Sequence, residues 1–274
     1  MFSAHSLRYK LHRTFRWPYK LAVYTYGSPD KPVVVLLHGI NNSSKSWLPV
    51  VSQLKKHAYV VSIDLLGFGD SPKPDDIDYT PEEHLRSIRF TIRNLGLNEP
   101  FVLAGHSMGA ILAVYYAASE PKKVKDLVLC SFPYYKNHDL TAGMAAKWAL
   151  ASDKALYTIY AWLRAHPDTT IKGASFAKRI KRGEVAFDLT QDKWLPFQQS
   201  LLNTVESQDL TPTLKKLTMP IHIISGRLDP LLNTVNIKLL AKTKPNVTLY
   251  AAASAHDLTK ALSKKIATVI DGLL

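Results

Sequence analysis

Phe101-Val102-Leu103-Ala104-Gly105-His106-Ser107-Met108-Gly109 is the stretch on which the reading of this chain turns. Its first four residues form a short apolar run, and from Ser107 to Ser119 the sequence is small or apolar on nearly every side. The run predicts a buried strand and the later segment a buried helix, so Ser107 falls on a sharp strand-to-helix turn. A five-residue Gly-x-Ser-x-Gly match is weak alone and specific in that setting. A serine there takes a strained backbone conformation, and Gly105 and Gly109 leave room for backbone to close in around it. The hydroxyl then stands at the end of the sheet. The Met108 amide, at the helix start, faces any negative charge that develops next to it, which makes half of an oxyanion hole. The alternative use of Ser107 is as a plain helix N-cap.

Outward from this turn, short β-branched apolar runs alternate with longer amphipathic stretches, the order of a mostly parallel sheet covered by helices. Residues 33 to 37 read as a buried strand ending at His38-Gly39, residues 46 to 56 have helical spacing, and residues 59 to 63 make the next strand. Thr80-Pro81-Glu82-Glu83 opens a helix that reaches Leu95. Downstream, residues 124 to 130, 221 to 224 and 247 to 250 read as strands, with helices near 233 to 242 and 258 to 272. Residues 6 to 13 and 20 to 26 alternate and predict an antiparallel hairpin leading into the sheet.

Between Ser131 and about Gln208 the alternation lapses into helical stretches rich in aromatic residues. With no internal repeat and no Gly/Ser-rich linker, residues 131–208 read as a helical cap packed on a core made of residues 1–130 and 209–274. Trp148 and Trp162 in the cap, and Trp47 shortly after His38-Gly39, are candidates for a substrate pocket, because such pockets are mainly apolar. The other use of such rings is to fasten cap to core.

A neutral serine hydroxyl is a poor nucleophile, so a base must take its proton and an acid must hold that base in the useful tautomer. Asp229 follows the apolar run ending Ile223-Ile224-Ser225-Gly226, and His256 follows the next strand in Ala253-Ser254-Ala255-His256. The chain order is therefore Ser, Asp, His. Asp257 is a competing carboxylate, although adjacent residues point apart.

These residues, and residues 33 to 274 almost throughout, resemble the α/β-hydrolase superfamily. The resemblance implies the α/β-hydrolase fold, a mostly parallel central sheet flanked by helices with a helical cap insertion. It implies Ser107 as nucleophile, His256 as general base and then general acid, and Asp229 as the orienting acid. It further implies that His38-Gly39-Ile40 forms an oxyanion loop, with the Ile40 amide as second donor beside Met108 and His38 as a prop. Asp64 and the glycines after it shape the following turn. Relatives that alkylate the enzyme use aspartate where this chain has Ser107, so acyl transfer is the expected chemistry, with a small-molecule carboxylic ester carrying an apolar group as substrate. Thioesters, lactones, amides and certain carbon-carbon bonds suit the same machinery. A ligand-binding receptor or scaffold on the same fold is the alternative of another class.

Composition narrows the setting. With 46% hydrophobic and 21% charged residues and no low-complexity tract, the 274-residue chain has the balance of a folded globular protein. Cys130 is the single cysteine, which excludes an intramolecular disulfide. No His-Glu-x-x-His run, cysteine pair, dinucleotide fingerprint or phosphate loop occurs, so neither metal nor cofactor is expected. The net charge of +13 raises the question of anionic partners, but it is spread along the chain. Arg8, Lys10, Arg13, Arg16 and Lys20 open it without an acid, and Lys178-Arg179-Ile180-Lys181-Arg182 is the densest cluster. The cluster suits a solvated helix face or contact with an anionic surface, and no nucleic-acid module surrounds it, so nucleic acid is not expected. Nothing reads as a signal peptide or a membrane span, and a cytoplasmic location is the expectation.

Overall fold

The computed structural model describes residues 14–15, 17–135, 144–180 and 189–274, with the backbone alone for 144–150 and 177–180. The first half runs β1 Val23–Tyr26, β2 Val33–Leu37, a 3-10 turn Ser44–Trp47, α1 Leu48–Leu54, β3 Tyr59–Ile63, α2 Pro81–Asn94, β4 Phe101–His106, α3 Met108–Ser119 and β5 Val124–Cys130. Helices α4 Met144–Ala165, α5 Pro167–Ile180 and α6 Trp194–Ser200 follow, with a π-helical segment Leu201–Glu206 and α7 Thr211–Lys216. The chain then returns to the sheet through β6 Ile221–Gly226, α8 Thr234–Thr243, β7 Val247–Ala252 and α9 Lys260–Asp271.

Seven strands form one sheet in the order β1-β3-β2-β4-β5-β6-β7, parallel throughout except for β1 against β3. Strand side chains alternate between the faces of a sheet, so each continuous apolar run feeds two layers. In β2, Val35 and Leu37 join the layer that contains Ile88, Ile92, Ile111 and Leu112, whereas Val34 and Leu36 join the layer with Val50, Leu54, Ile266 and Ile270. The helices present matching stripes: Leu262, Ile266 and Ile270 of α9 are four residues apart, and Ser87, Ile88, Thr91 and Ile92 form the inner face of α2. Thr80 begins α2 with a capping box, its side chain accepting the Glu83 N–H while the Glu83 carboxylate accepts the Thr80 N–H.

Several strands run further toward their C-terminal ends than their apolar runs imply. Pairing of Gly105 with Leu129 and His106 with Cys130 carries β4 two residues past Ala104, and pairing of Gly226 with Ala252 similarly extends β6 and β7. Parallel ladders continue wherever a neighbour offers backbone partners, whatever the side chains.

One expectation changes, and another falls partly outside the described residues. Residues 6–13 lie outside the described residues, and the other half of the expected hairpin, at Val23–Tyr26, pairs antiparallel with β3. The edge of β3 not used by β2 offers unpaired backbone groups, and β1 covers it. Trp47, a pocket candidate, is fully buried in the layer beneath α1 and α9, with its ring edge-on to His106 at 6.4 Å. It is a core residue.

Truncation of Trp47 to alanine empties that layer and should lower stability by about 3–5 kcal/mol. Urea unfolding should show a lower midpoint at unchanged slope, and a midpoint equal to the parent's would refute the core role.

Candidate active site

The turn after β4 is built by exclusion of side chains. Ser107 has φ 53° and ψ −121°, a conformation that L residues rarely adopt, and its N–H donates to Cys130 O on β5 at 2.9 Å. A Cβ on Gly105 would stand 2.2 Å from Gly109 O, and one on Gly109 would stand 2.3 Å from Leu37 O and 2.4 Å from His38 O. Both glycines are therefore required by close backbone approach, and strain at Ser107 is held by strands on either side.

Neighbouring parallel strands β6 and β7 end at the same level and deliver the other two groups. His256 Nε2 lies 2.9 Å from Ser107 Oγ. On its far side, Nδ1 lies 2.8 Å from Asp229 Oδ2 and 3.0 Å from Oδ1. A carboxylate only accepts, so Nδ1 carries the proton and Nε2 is left to accept from the serine hydroxyl. The Asp229 side chain is wholly buried, and Leu231 N–H donates to its Oδ1 at 3.0 Å. Asp257, the competing carboxylate, instead lines the neighbouring cavity. The His256 carbonyl accepts from His106 Nε2–H at 2.8 Å and Ser131 Oγ–H at 3.1 Å, which ties the loop carrying His256 to the residue before the serine.

The loop after β2 stands opposite. His38 Nδ1–H donates to Gly39 O at 2.7 Å, and its Nε2 accepts Leu65 N–H at 2.9 Å, so the ring braces one loop against the next. Asp64 fixes the second loop by accepting Ser44 N–H at 2.6 Å and Asp70 N–H at 2.7 Å. Among the described residues, no backbone hydrogen bond starts from the N–H of Ile40 or of Met108. Burial pushes His38 down to about 4; burial, aided by the charge of His256, brings His106 to about 4. Burial and then His38 bring His84, whose Nε2 is 3.2 Å from Ser200 Oγ, to about 3.

Ser107 and His256 open onto a cavity of about 400 Å³ whose walls include Ile40, Tyr160, Leu163, Phe197, Leu201 and Val205. Trp162 is not among its lining residues: it is half exposed on α4 and stacks on His166 at 4.6 Å. Ile159, Tyr160 and Leu163 share the cavity side of the helix, and Trp162 falls outside that arc. Trp148 lies in α4, with its side chain outside the described residues. The wall that sequence reasoning missed, Phe197-Leu201-Val205, had a usable signal in its four-residue spacing. Among the described residues, no group of three His, Cys, Asp or Glu could hold a metal ion, and no helix is long and apolar enough to cross a membrane.

Known proteins resemble the chain along most of its length. A family model described as alpha/beta hydrolase fold matches residues 32–167. A pimeloyl-[acyl-carrier protein] methyl ester esterase of Pseudoalteromonas atlantica is 31% identical over 245 residues, covering 81% of this chain and 87% of that protein. The probable lysophospholipase BODYGUARD 2 of Arabidopsis thaliana is 40% identical over 108 residues, 38% of this chain; the matched stretch spans only 23% of that relative's own length. A solved thermophilic esterase from Thermogutta terrifontis shares the fold with a TM-score of 0.72 over 92% of both chains, at 18% identity.

The buried histidines make stability depend on pH. Their folded pKa values lie below the unfolded value of about 6.5, so the unfolded chain binds more protons as pH falls. Stability should be flat above pH 7 and decline between pH 6.5 and 4, each histidine adding a slope of up to about 1.4 kcal/mol per pH unit. Thermal unfolding scans at pH 8, 6 and 5 check this, and an equal Tm at all three would contradict it.

Proposed function

We propose that this chain, which belongs to the α/β-hydrolase family, is a serine carboxylesterase that cleaves small-molecule esters bearing an apolar group. The observation that carries the reading is the continuous relay from Ser107 Oγ through His256 to the buried Asp229 carboxylate. In this reading His256 Nε2 takes the hydroxyl proton as Ser107 attacks the ester carbonyl. The Ile40 and Met108 amides hold the oxyanion, and Asp229 steadies the imidazolium that forms. His256 then protonates the departing alcohol. Water, activated by the same nitrogen, releases the acid and restores Ser107.

These steps close on the chain's own groups and call for neither metal nor cofactor. The cavity walls are mainly apolar, with Asp257 and no Lys or Arg among the described lining residues, and suit an uncharged acyl or alcohol group. The esterases among the relatives support ester hydrolysis over thioester, lactone or amide cleavage. The assembled relay favours turnover over a non-catalytic receptor, in which nothing would maintain a strained Ser107 beside a paired His256. Residues 131–208 act as the cap in this reading, over a core of 1–130 and 209–274, and the protein works in the cytoplasm.

Hydrolysis of p-nitrophenyl esters of graded acyl length, assayed beside Ser107→Ala and Asp229→Asn, tests the proposal. Asp229→Asn should lower kcat by roughly 10⁴-fold and Ser107→Ala by roughly 10⁶-fold, the latter also abolishing labelling by a fluorophosphonate. Parent protein that neither labels nor turns over any ester of the series would overturn it.

A further inference from the structure

We propose that the cap helix α4 positions the catalytic acid, through Tyr160 and Asp153. The inference rests on the esterase reading above and extends it to residues that do not touch the reacting atoms of the relay.

Asp229 lies on the loop between β6 and α8, and that loop is held from the cap at two points. The first begins on the acid itself. Leu231 N–H donates to Asp229 Oδ1 at 3.0 Å, and the carbonyl of the same Leu231 accepts from Tyr135 O–H at 3.2 Å. Because the Tyr135 proton is used there, Tyr160 O–H is the donor in the 2.9 Å contact between the two phenols. The second point lies two residues further on. Asn233 caps α8 with its Oδ1, which accepts Asn236 N–H at 3.2 Å, and turns its Nδ2 to Asp153 Oδ1 at 2.8 Å. Asn236 Nδ2 is shared between Tyr134 O at 3.1 Å and Asp153 Oδ2 at 3.5 Å.

Asp153 and Tyr160 are seven residues apart, two turns of α4, and with Leu156 they form its buried inner face. Tyr134, Tyr135, Asp153, Tyr160, Asn233 and Asn236 are all buried, so water does not readily replace a lost partner. Leu228, the residue before Asp229, is by contrast three-quarters exposed and gives the loop little packing of its own. The placement of Asp229 therefore depends on polar contacts that reach the cap. Tyr160 also forms part of the cavity wall, so one side chain meets the substrate with its ring and the acid loop with its hydroxyl.

Loss of these contacts lets Asp229 drift from His256 Nδ1, which weakens the base while the cavity keeps its shape. Tyr160→Phe and Tyr135→Phe retain the rings and remove the hydroxyls; Asp153→Asn retains the shape and removes the charge. Expected results are a fall in kcat of about fivefold to twentyfold for Tyr135→Phe, KM within twofold of the parent, and a displaced acid limb in the pH profile of kcat. The low-field proton resonance of His256 Nδ1–H, identified by its loss in Asp229→Asn, should move or broaden in Tyr135→Phe and Asp153→Asn without any substrate present. Thermal scans identify variants that fold. Should Tyr135→Phe fail to fold, Tyr160→Phe, which leaves the Tyr135–Leu231 contact intact, carries the same readouts at smaller size. Folded variants with parental kcat, pH profile and low-field resonance would overturn the inference. Failure of the parent itself to hydrolyse esters or label would instead overturn the esterase reading, and the resonance would still decide whether the cap holds the acid.

Discussion

The Cα of Gly109 sits where a single added carbon would strike the carbonyl oxygens of Leu37 and His38. That close approach sets how near α3 stands to the end of β2, and the rest of the site depends on it. It puts the Ser107 hydroxyl above the C-terminal end of the sheet, brings the start of α3 against Leu37 and His38, and fixes the point that His256 must reach. The strain at Ser107 is carried by the two central strands on either side of β4, where the backbone is least free to relax. A site built at a sheet edge or on a long loop would lack that rigidity.

The fold was legible because its signals are local and repeated. Val33–Leu37, Val124–Cys130 and the run from Phe101 are unmistakable as buried strands, and the glycines around Ser107 mark a turn that few other sequences require. The order of Ser107, Asp229 and His256 could also be read, since each lies just beyond a strand, and the structure brings His256 within hydrogen-bond distance of the other two. The cavity was not legible in the same way. Large aromatic residues attract attention, yet a helix buries a residue according to its angle about the axis. Trp162 is directed outward while Tyr160 and Leu163 face in, and Trp47 disappears beneath the sheet. Pairing of β1 with β3 is likewise a long-range choice made by a free sheet edge.

The buried polar groups divide into two kinds. His38 and His106 bind loops to one another as neutral donors and acceptors, and their burial keeps them so. Asp229 is buried as the acceptor for His256 Nδ1, which places its charge where an imidazolium forms during the proposed reaction. In the proposed reaction, His38 and His106 stay neutral beside His256, so the proton that leaves Ser107 has one place to go.

The segment Leu201–Glu206 closes its backbone bonds five residues back instead of four, so it contains one residue more than an α-helix of the same rise. Its side chains are already committed on both sides: Leu201 and Val205 to the cavity, Asn203 and Thr204 to the carbonyls of Asp78 and Tyr79. Deleting one residue would relax the segment to an ordinary helix and turn its own residues, Val205 among them, out of their present directions while the chain beyond kept its phase, reshaping the wall without altering any other amino-acid type in it. The shape of the cavity is thus encoded partly in chain length, and insertions or deletions in this one turn offer a route to new pockets that substitution does not.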